Sequence, residues 1–387
     1  MRRSIPGWLV RLLVCVALTQ SALNLSRPVT SYRALALGAD ARAIGLITAA
    51  YAVLPVLVAL PLDRLADRRR PAPLVSAGAV LLAAGSALLG AAPSLGALAV
   101  WSAVLGLGHL SFMVGGQTLI AQQSSDNQHD QYFGLYAAVT SFGQLVGPAL
   151  GGLVLSVSDG PSLTSTTSSL QLAAGLALAA VPFTASLSAR RRRQPTRSEP
   201  GTHPSAWRIL RSPGVSAGMF ASLMLLAAVD ILTAYLPVIG EENGIGPGVI
   251  GALLSLRAAA SIVSRLLVAP MVRRWGRIPL IVVSSAGSAI TVVFLPIFAS
   301  PVVLATLLVV AGFLLGIGQP LTMTLVVQAV HAQVRGAALA MRLTGNRLGQ
   351  VAVPAAAGVV TGAAGVAAAF WLTAALLGAA AWGVARR

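Results

Sequence analysis

Apolar runs of about 20 residues, each bounded by Gly, Pro or a charge cluster, recur along the whole chain. Their limits predict twelve helical spans: 8–31, 44–62, 73–92, 95–121, 133–157, 169–188, 214–239, 246–271, 279–299, 302–328, 336–361 and 364–385. At 1.5 Å per residue, a span of this length crosses roughly 30 Å of hydrocarbon. The first run follows Met1-Arg2-Arg3 and continues from Trp8 without a convincing small-residue cleavage site, so it reads as a retained helix rather than a signal peptide.

The longest polar stretch runs from Ala189 to Ser212 and contains Arg190, Arg191, Arg192, Arg193 and three prolines. It predicts a six-helix half over 1–188, a cytoplasmic linker over 189–212, and a second six-helix half over 213–387. The two halves also echo each other at a fixed offset of 206 residues between positions 44 and 122. Ile44 and Gly45 match Ile250 and Gly251; Arg68 and Pro73 match Arg274 and Pro279; Ser94, Gly106 and Gln122 match Ser300, Gly312 and Gln328. A six-helix unit repeated in the same orientation is how transporters with two parallel halves are built, with substrate held near the bilayer midplane. The expected fold is therefore an all-α membrane protein of twelve transmembrane helices in two parallel halves.

Composition agrees. The chain is 56% hydrophobic and 10% charged, against roughly 25% charged in soluble domains. A net charge of +17 in a soluble protein would suggest nucleic acid, but placement argues otherwise. With the N-terminus inside, twenty arginines fall in or beside cytoplasmic segments, and only Arg33 and Arg42 fall outside. That is the positive-inside bias of a multi-pass protein with both termini cytoplasmic, placed in the plasma (inner) membrane. The lipid bilayer is thus an expected partner, and nucleic acid is not. A lone Cys15 and the scattered His109, His129, His203 and His331 give no disulfide or metal-ligand spacing, so no cofactor or metal is expected.

Polar residues inside the spans carry the functional expectations, because a charge facing lipid is costly. Spans 3, 6, 9 and 12 contain no Asp, Glu, Arg or His between their ends, which predicts a lipid-facing outer layer around a polar cavity. Asp230 is the only acid inside a span, and subtracting the offset places it opposite Asn24. A carboxyl group in a partly desolvated cavity suits a group that takes up and releases a proton in each cycle. Two readings of Asp230 stand: proton coupling, or a structural ion pair with an arginine such as Arg27. Arg257 and Arg347 lie near mid-depth in spans 8 and 11, where two cations suit an anionic ligand. Arg342, Asn346, Gln350 and Pro354 follow a spacing of four that lines one helix face. Asn24, Arg27, Arg257, Asn346, Arg347 and Gln350 are the candidate cavity residues; Arg265 and Arg342 rank lower because they lie nearer the cytoplasm. The alternative for all of them is helix–helix hydrogen bonding.

Several of these stretches together resemble the major facilitator superfamily, and the resemblance covers essentially the whole chain. After span 2, Asp63-Arg64-Leu65-Ala66-Asp67-Arg68-Arg69-Arg70 resembles the loop signature G-x-L-a-D-R-x-G-R, with Asp63 and Arg70 in place of the two glycines. Arg274-Trp275-Gly276-Arg277 is its second-half echo. By resemblance, Asp67 and Arg68 help hold an inner gate against the start of span 11, where Arg335 lies. Gly143-Gln144-Leu145-Val146-Gly147-Pro148-Ala149-Leu150-Gly151-Gly152 matches G-x-x-x-G-P-x-x-G-G, the span 5 motif associated with proton-driven exporters of drugs and metabolites. Gly143, Gly147, Pro148, Gly151 and Gly152 are accordingly a place where the bundle bends or seals. The exporters' span 4 motif R-x-x-Q-G reads here Ser102-Ala103-Val104-Leu105-Gly106, without its arginine.

The function these residues imply is secondary active transport by alternating access: proton-coupled export of a small organic molecule, with the excess of Arg favouring an anionic or zwitterionic one. Proton-coupled uptake of an organic anion is the alternative within the class. A non-transporting receptor and a polytopic membrane enzyme are the alternatives outside it. No H-E-x-x-H, phosphate loop or acidic metal cluster supports an enzyme, so none is expected.

Overall fold

The computed structural model describes residues 6–68, 71–124, 128–158, 160–187, 210, 214–330 and 335–386, without the side chains of 60, 63–68, 130 and 335–336. Among the described residues twelve long helices follow one another: α1 (Gly7–Ala36), α2 (Ala41–Arg68), α3 (Ala72–Ala91), α4 (Leu95–Gln123), α5 (His129–Val157), α6 (Leu163–Ala185), α7 (Val215–Glu242), α8 (Pro247–Trp275), α9 (Arg277–Phe294), α10 (Pro301–Gln328), α11 (Arg335–Ala364) and α12 (Ala367–Ala385). No strand occurs among the described residues. Eleven of the helices are long and apolar enough to cross a bilayer; α11, which carries Arg342 and Arg347, is the twelfth.

Each predicted span corresponds to one helix, and the differences at the ends have local causes. α6 starts at Leu163 rather than 169 because a Ser/Thr run satisfies its own first turn. Ser162 and Ser165 close a capping box, and the hydroxyls of Thr166 and Thr167 donate to the carbonyls of Ser162 and Leu163 at 2.6 and 2.8 Å. α9 stops at Phe294 rather than 299: Leu295 still has helical backbone (φ −56°, ψ −45°), but Pro296 has no N–H to continue the hydrogen-bond ladder. α1 instead passes through Pro28 to Ala36, a break that neighbouring helices and Ser/Thr hydroxyls make tolerable in a membrane span.

That extension relocates Arg33. The predicted first span stops at 31, before this residue, whereas Arg33 is buried in the last turn of α1. Its guanidinium donates to the Leu163 carbonyl at 2.6 Å, the Thr167 hydroxyl at 2.9 Å and the Ala92 carbonyl at 3.1 Å. It therefore ties α1 to the loop after α3 and to the start of α6.

Packing divides the chain into two compact units. One comprises Met1–Ala39, Ala50–Pro195 and Gly246–Ser255; the other comprises Asp40–Ala49, Thr196–Ile245 and Leu256–Arg387. Within the first, α1 packs on α5 and α6, and α3 packs on α4 and α6. Within the second, α7 packs on α11 and α12, and α9 packs on α10 and α12, which is the same pattern six helices later. α3, α6, α9 and α12 all keep large apolar side chains exposed, among them Val80, Leu178, Val283 and Trp382.

The 206-residue offset persists in the geometry, and further than the matched letters suggest. Gly38 and Gly244 both end a helix at positive φ, 80° and 66°, a backbone that favours glycine. The amide after each reaches back to an equivalent carbonyl: Ala39 to Ala34 at 2.9 Å, and Ile245 to Gly240 at 2.8 Å. A Cβ on Gly106 would lie 1.8 Å from the carbonyl oxygen of Tyr51, and one on Gly312 would lie 2.2 Å from that of Arg257. Tyr51 and Arg257 are themselves 206 residues apart.

Candidate functional site

In the first unit, the close approach of α2 to α4 at Gly106 brings Tyr51 beside His109, three residues further along α4. The Tyr51 hydroxyl and His109 Nδ1 share a hydrogen bond of 2.6 Å, and the two rings lie 6.3 Å apart at 28°. Arg27 of α1 places its guanidinium carbon 4.9 Å from the centre of the Tyr51 ring, within cation–π range. Asn24, one turn earlier in α1, is half-buried and donates to the Gln20 carbonyl at 2.8 Å. Nearby, the sulfur of Met113 accepts from Gln20 Nε2 at 3.6 Å and from the Tyr136 hydroxyl at 3.2 Å. The result is a polar patch on one side of α1, α2, α4 and α5.

The second unit carries the acid. Asp230 is 2% exposed in α7, and Gln350 of α11 donates Nε2–H to its Oδ2 at 2.9 Å. Arg347 donates Nη1–H to Gln350 Oε1 at 3.2 Å. The glutamine thus joins a cation and a carboxylate by its two ends, donor to the acid and acceptor from the base. Gly349 makes the pairing possible, because a Cβ there would fall 2.2 Å from the Leu223 side chain of α7. Arg342 and Asn346 lie buried on the same face of α11, two turns and one turn before Gln350 respectively. Arg342 donates Nη2–H to the Gln319 side chain at 3.0 Å and to its carbonyl at 3.2 Å. Arg257 is buried in α8 with its carbonyl against Gly312, while Arg265 is exposed.

The span 5 motif resolves into two faces of α5. Gly143, Gly147 and Gly151 turn toward α1, where added Cβ atoms would lie 2.4 Å from Gln20, 2.7 Å from Leu25 N and 3.0 Å from Val29. Gly152 and the Pro148 carbonyl face the first turns of α8 within the same unit: a Cβ on Gly251 would lie 2.4 Å from Pro148 O and 3.0 Å from Gly152 Cα. The second unit repeats this contact with Gly45, whose Cβ would lie 2.6 Å from Pro354 O and 2.5 Å from Gly358 Cα. Pro354 and Gly358 are Pro148 and Gly152 shifted by 206, as Gly349 and Gln350 are Gly143 and Gln144. The motif is therefore duplicated in α11. Of the expected gating residues, Asp67 and Arg68 end α2 and Arg335 begins α11, and their side chains lie outside the described residues.

Of the expected cavity residues, the structure joins Asp230, Gln350 and Arg347 directly, and it lines Asn346 up with them. Tyr51, Ser222 and Gln319 are additional polar participants. The offset points to Tyr51, since it occupies the position of Arg257; Ser222 and Gln319 carry no mark in the sequence beyond being polar.

The profile of the Major Facilitator Superfamily matches residues 12–239 and again 218–386. The chain belongs to that superfamily. It is a multi-pass membrane protein of that superfamily. Its fold is shared with the nucleoside transporter NupG (TM-score 0.76, 14% identity, covering 98% of this chain and 99% of that one). It is shared equally with a D-xylose–proton symporter (TM-score 0.75, 15% identity, covering 98% and 97%). A bacterial homologue of the human lysosomal transporter Spinster is similar to the same extent (TM-score 0.75, 14% identity, covering 99% and 97%). In sequence, the superfamily member from the phomenoic acid biosynthesis cluster of Leptosphaeria maculans is 29% identical over 109 residues, 28% of this chain and 17% of that protein. The transporter pgmG of Aspergillus terreus is 36% identical over 73 residues, 19% of this chain and 13% of that protein.

Proposed function

We propose that this superfamily member exports a small organic molecule by alternating access in exchange for protons, with Asp230 as the proton-coupling group. The supporting observation is the Arg347–Gln350–Asp230 chain. Among the described residues Asp230 is the one buried acid, and it accepts from a neutral amide that also holds a guanidinium. Protonation removes the charge of the carboxylate and changes what it asks of Gln350. The amide can then rotate, and Arg347 loses the acceptor that positions it. One proton is thereby converted into a rearrangement of a cation at the depth where cargo is expected.

Export is supported by the α5 motif, and a small organic metabolite by the relative from a biosynthesis cluster. The arginine excess among Arg27, Arg257 and Arg347 supports an anionic or zwitterionic cargo, with Asn24, Asn346 and Gln350 as neutral contacts. The same reading places both termini in the cytoplasm of the plasma membrane by the positive-inside bias. It divides the functional halves at 189–212, and it gives the inner gate to Asp67, Arg68 and Arg335 and the bend or seal to the glycines of α5. Uptake symport of an organic anion uses the same residues with the flux reversed.

The test is flux in sealed proteoliposomes for cargo found by a thermal-shift screen. An imposed proton gradient is expected to drive counter-movement of cargo, and Asp230→Asn to abolish the gradient's effect while cargo binding survives. If the gradient leaves flux unchanged and the variant does too, Asp230 has no coupling role. Co-movement with protons would establish uptake instead.

A further inference from the structure

Arg342 carries a buried charge that the Asp230 chain does not use. It is 6% exposed, and its Nη2 bonds go only to the neutral carbonyl and side-chain oxygen of Gln319. The described acids of this unit are Asp40, Asp230, Glu241 and Glu242, and none pairs with it. Its Nε–H is buried without an acceptor.

Two more unsatisfied polar atoms belong to the same neighbourhood. The hydroxyl of Ser222, a residue 0% exposed in α7, has no hydrogen-bond partner, and the Ser222 carbonyl accepts from Gln319 Nε2 at 2.9 Å. Asn346, 6% exposed, leaves its Oδ1 unpartnered one turn beyond Arg342 on the same face of α11, a rise of about 6 Å. Gly345 and Gly349 admit Met219 and Leu223 of α7 alongside, which brings the Ser222 turn level with Asn346. α11 thus presents a guanidinium N–H and, one turn on, a carboxamide, and α7 presents a hydroxyl, with Gln319 of α10 bonded to both Arg342 and the Ser222 carbonyl. The carboxamide can offer either its oxygen or its NH2, depending on what it meets.

A neutral guest satisfies the hydrogen bonds but leaves a cation uncompensated in a low-dielectric interior. An anionic guest satisfies both. We propose that Ser222, Gln319, Arg342 and Asn346 form a buried site for a small anionic group, either a carboxylate of the cargo or a free inorganic anion. Only the first of these sources rests on the transport reading. The group accepts from Arg342 Nε–H, the Ser222 hydroxyl and the Asn346 amide, while Gln319 holds the guanidinium in place.

The probe is the melting temperature of the purified full chain in detergent, at constant ionic strength, with bulky gluconate replaced by chloride, acetate or inorganic phosphate. A saturable rise of about 5 °C is expected at a hundredfold excess over Kd for at least one small anion. It is expected to vanish in Arg342→Gln, shrink in Ser222→Ala and persist in Asp230→Asn. A response to chloride or phosphate as strong as to acetate identifies a free inorganic anion, and a response confined to acetate identifies a carboxylate of the cargo. If no small anion raises the wild-type melting temperature, or the rise survives in both Arg342→Gln and Ser222→Ala, the site does not exist. No gradient or flux enters this measurement, so its failure and that of the Asp230 proposal are separable.

Discussion

Alanine at Gly106 and at Gly312 tests whether two equivalent helix crossings position the polar residues of each unit. A Cβ at Gly106 would sit 1.8 Å from the Tyr51 carbonyl oxygen, and one at Gly312 2.2 Å from that of Arg257. Carbon–oxygen contacts are tolerated from about 3 Å, so the helices must part by roughly 1.2 Å in the first case and 0.8 Å in the second, and the obstructing atoms are backbone rather than pliable side chain. Overpacking of this kind costs about 1–3 kcal/mol, against which Ala returns up to about 1 kcal/mol of helix propensity. Both variants are expected to melt a few degrees lower in detergent, Gly106→Ala by more. Gly175→Ala in α6 is the control: nothing lies within 4 Å of its Cβ, so it should be neutral or stabilising. The displacement should also loosen the Tyr51–His109 hydrogen bond, read as faster modification of His109 by an imidazole reagent. If Gly106→Ala and Gly175→Ala melt alike, the crossing is not tight and the packing argument fails.

Arg33→Met removes the clamp between α1, the loop after α3 and the start of α6, leaving the carbonyls of Ala92 and Leu163 without their charged donor. A loss of about 3 kcal/mol is expected, read as a lower melting temperature, and an unchanged melt refutes the clamp. Tyr51→Phe keeps the aromatic face under Arg27 but deletes the hydroxyl on His109. Stability should fall by only about 0.5–1.5 kcal/mol, while His109 modification, followed by mass spectrometry, accelerates; equal rates in variant and wild type would remove Tyr51 from the site.

Much of the fold was legible because a bilayer leaves the chain few choices. Backbone polar groups must be satisfied within each span, so a sufficiently long apolar run becomes a helix even with Pro28, Pro148 or Pro354 inside it. The repeat was legible where glycine is required by close approach, as at Gly106 and Gly312, because substitution there is costly in both halves. Its extension into α5 and α11 was obscured by the many Ala and Val matches that carry no information. The start of α6 was set too late because the polar run Thr164–Ser169 looks like a loop, although its hydroxyls satisfy helical carbonyls and let α6 begin early.

The candidate site divides along similar lines. The spacing of four along α11 put Arg342, Asn346 and Gln350 on one face, because helical periodicity is a property of the chain alone. Which face of α7 meets them, that Gln350 reaches Asp230, and that Arg342 bonds to Gln319 while Gln319 holds the Ser222 carbonyl were decided by contacts between helices far apart in sequence. Hydrophobic length and local period fix where helices begin and what each side carries. Which polar groups find partners, and which are left to bind something else, depends on distances that exist only after the helices have packed.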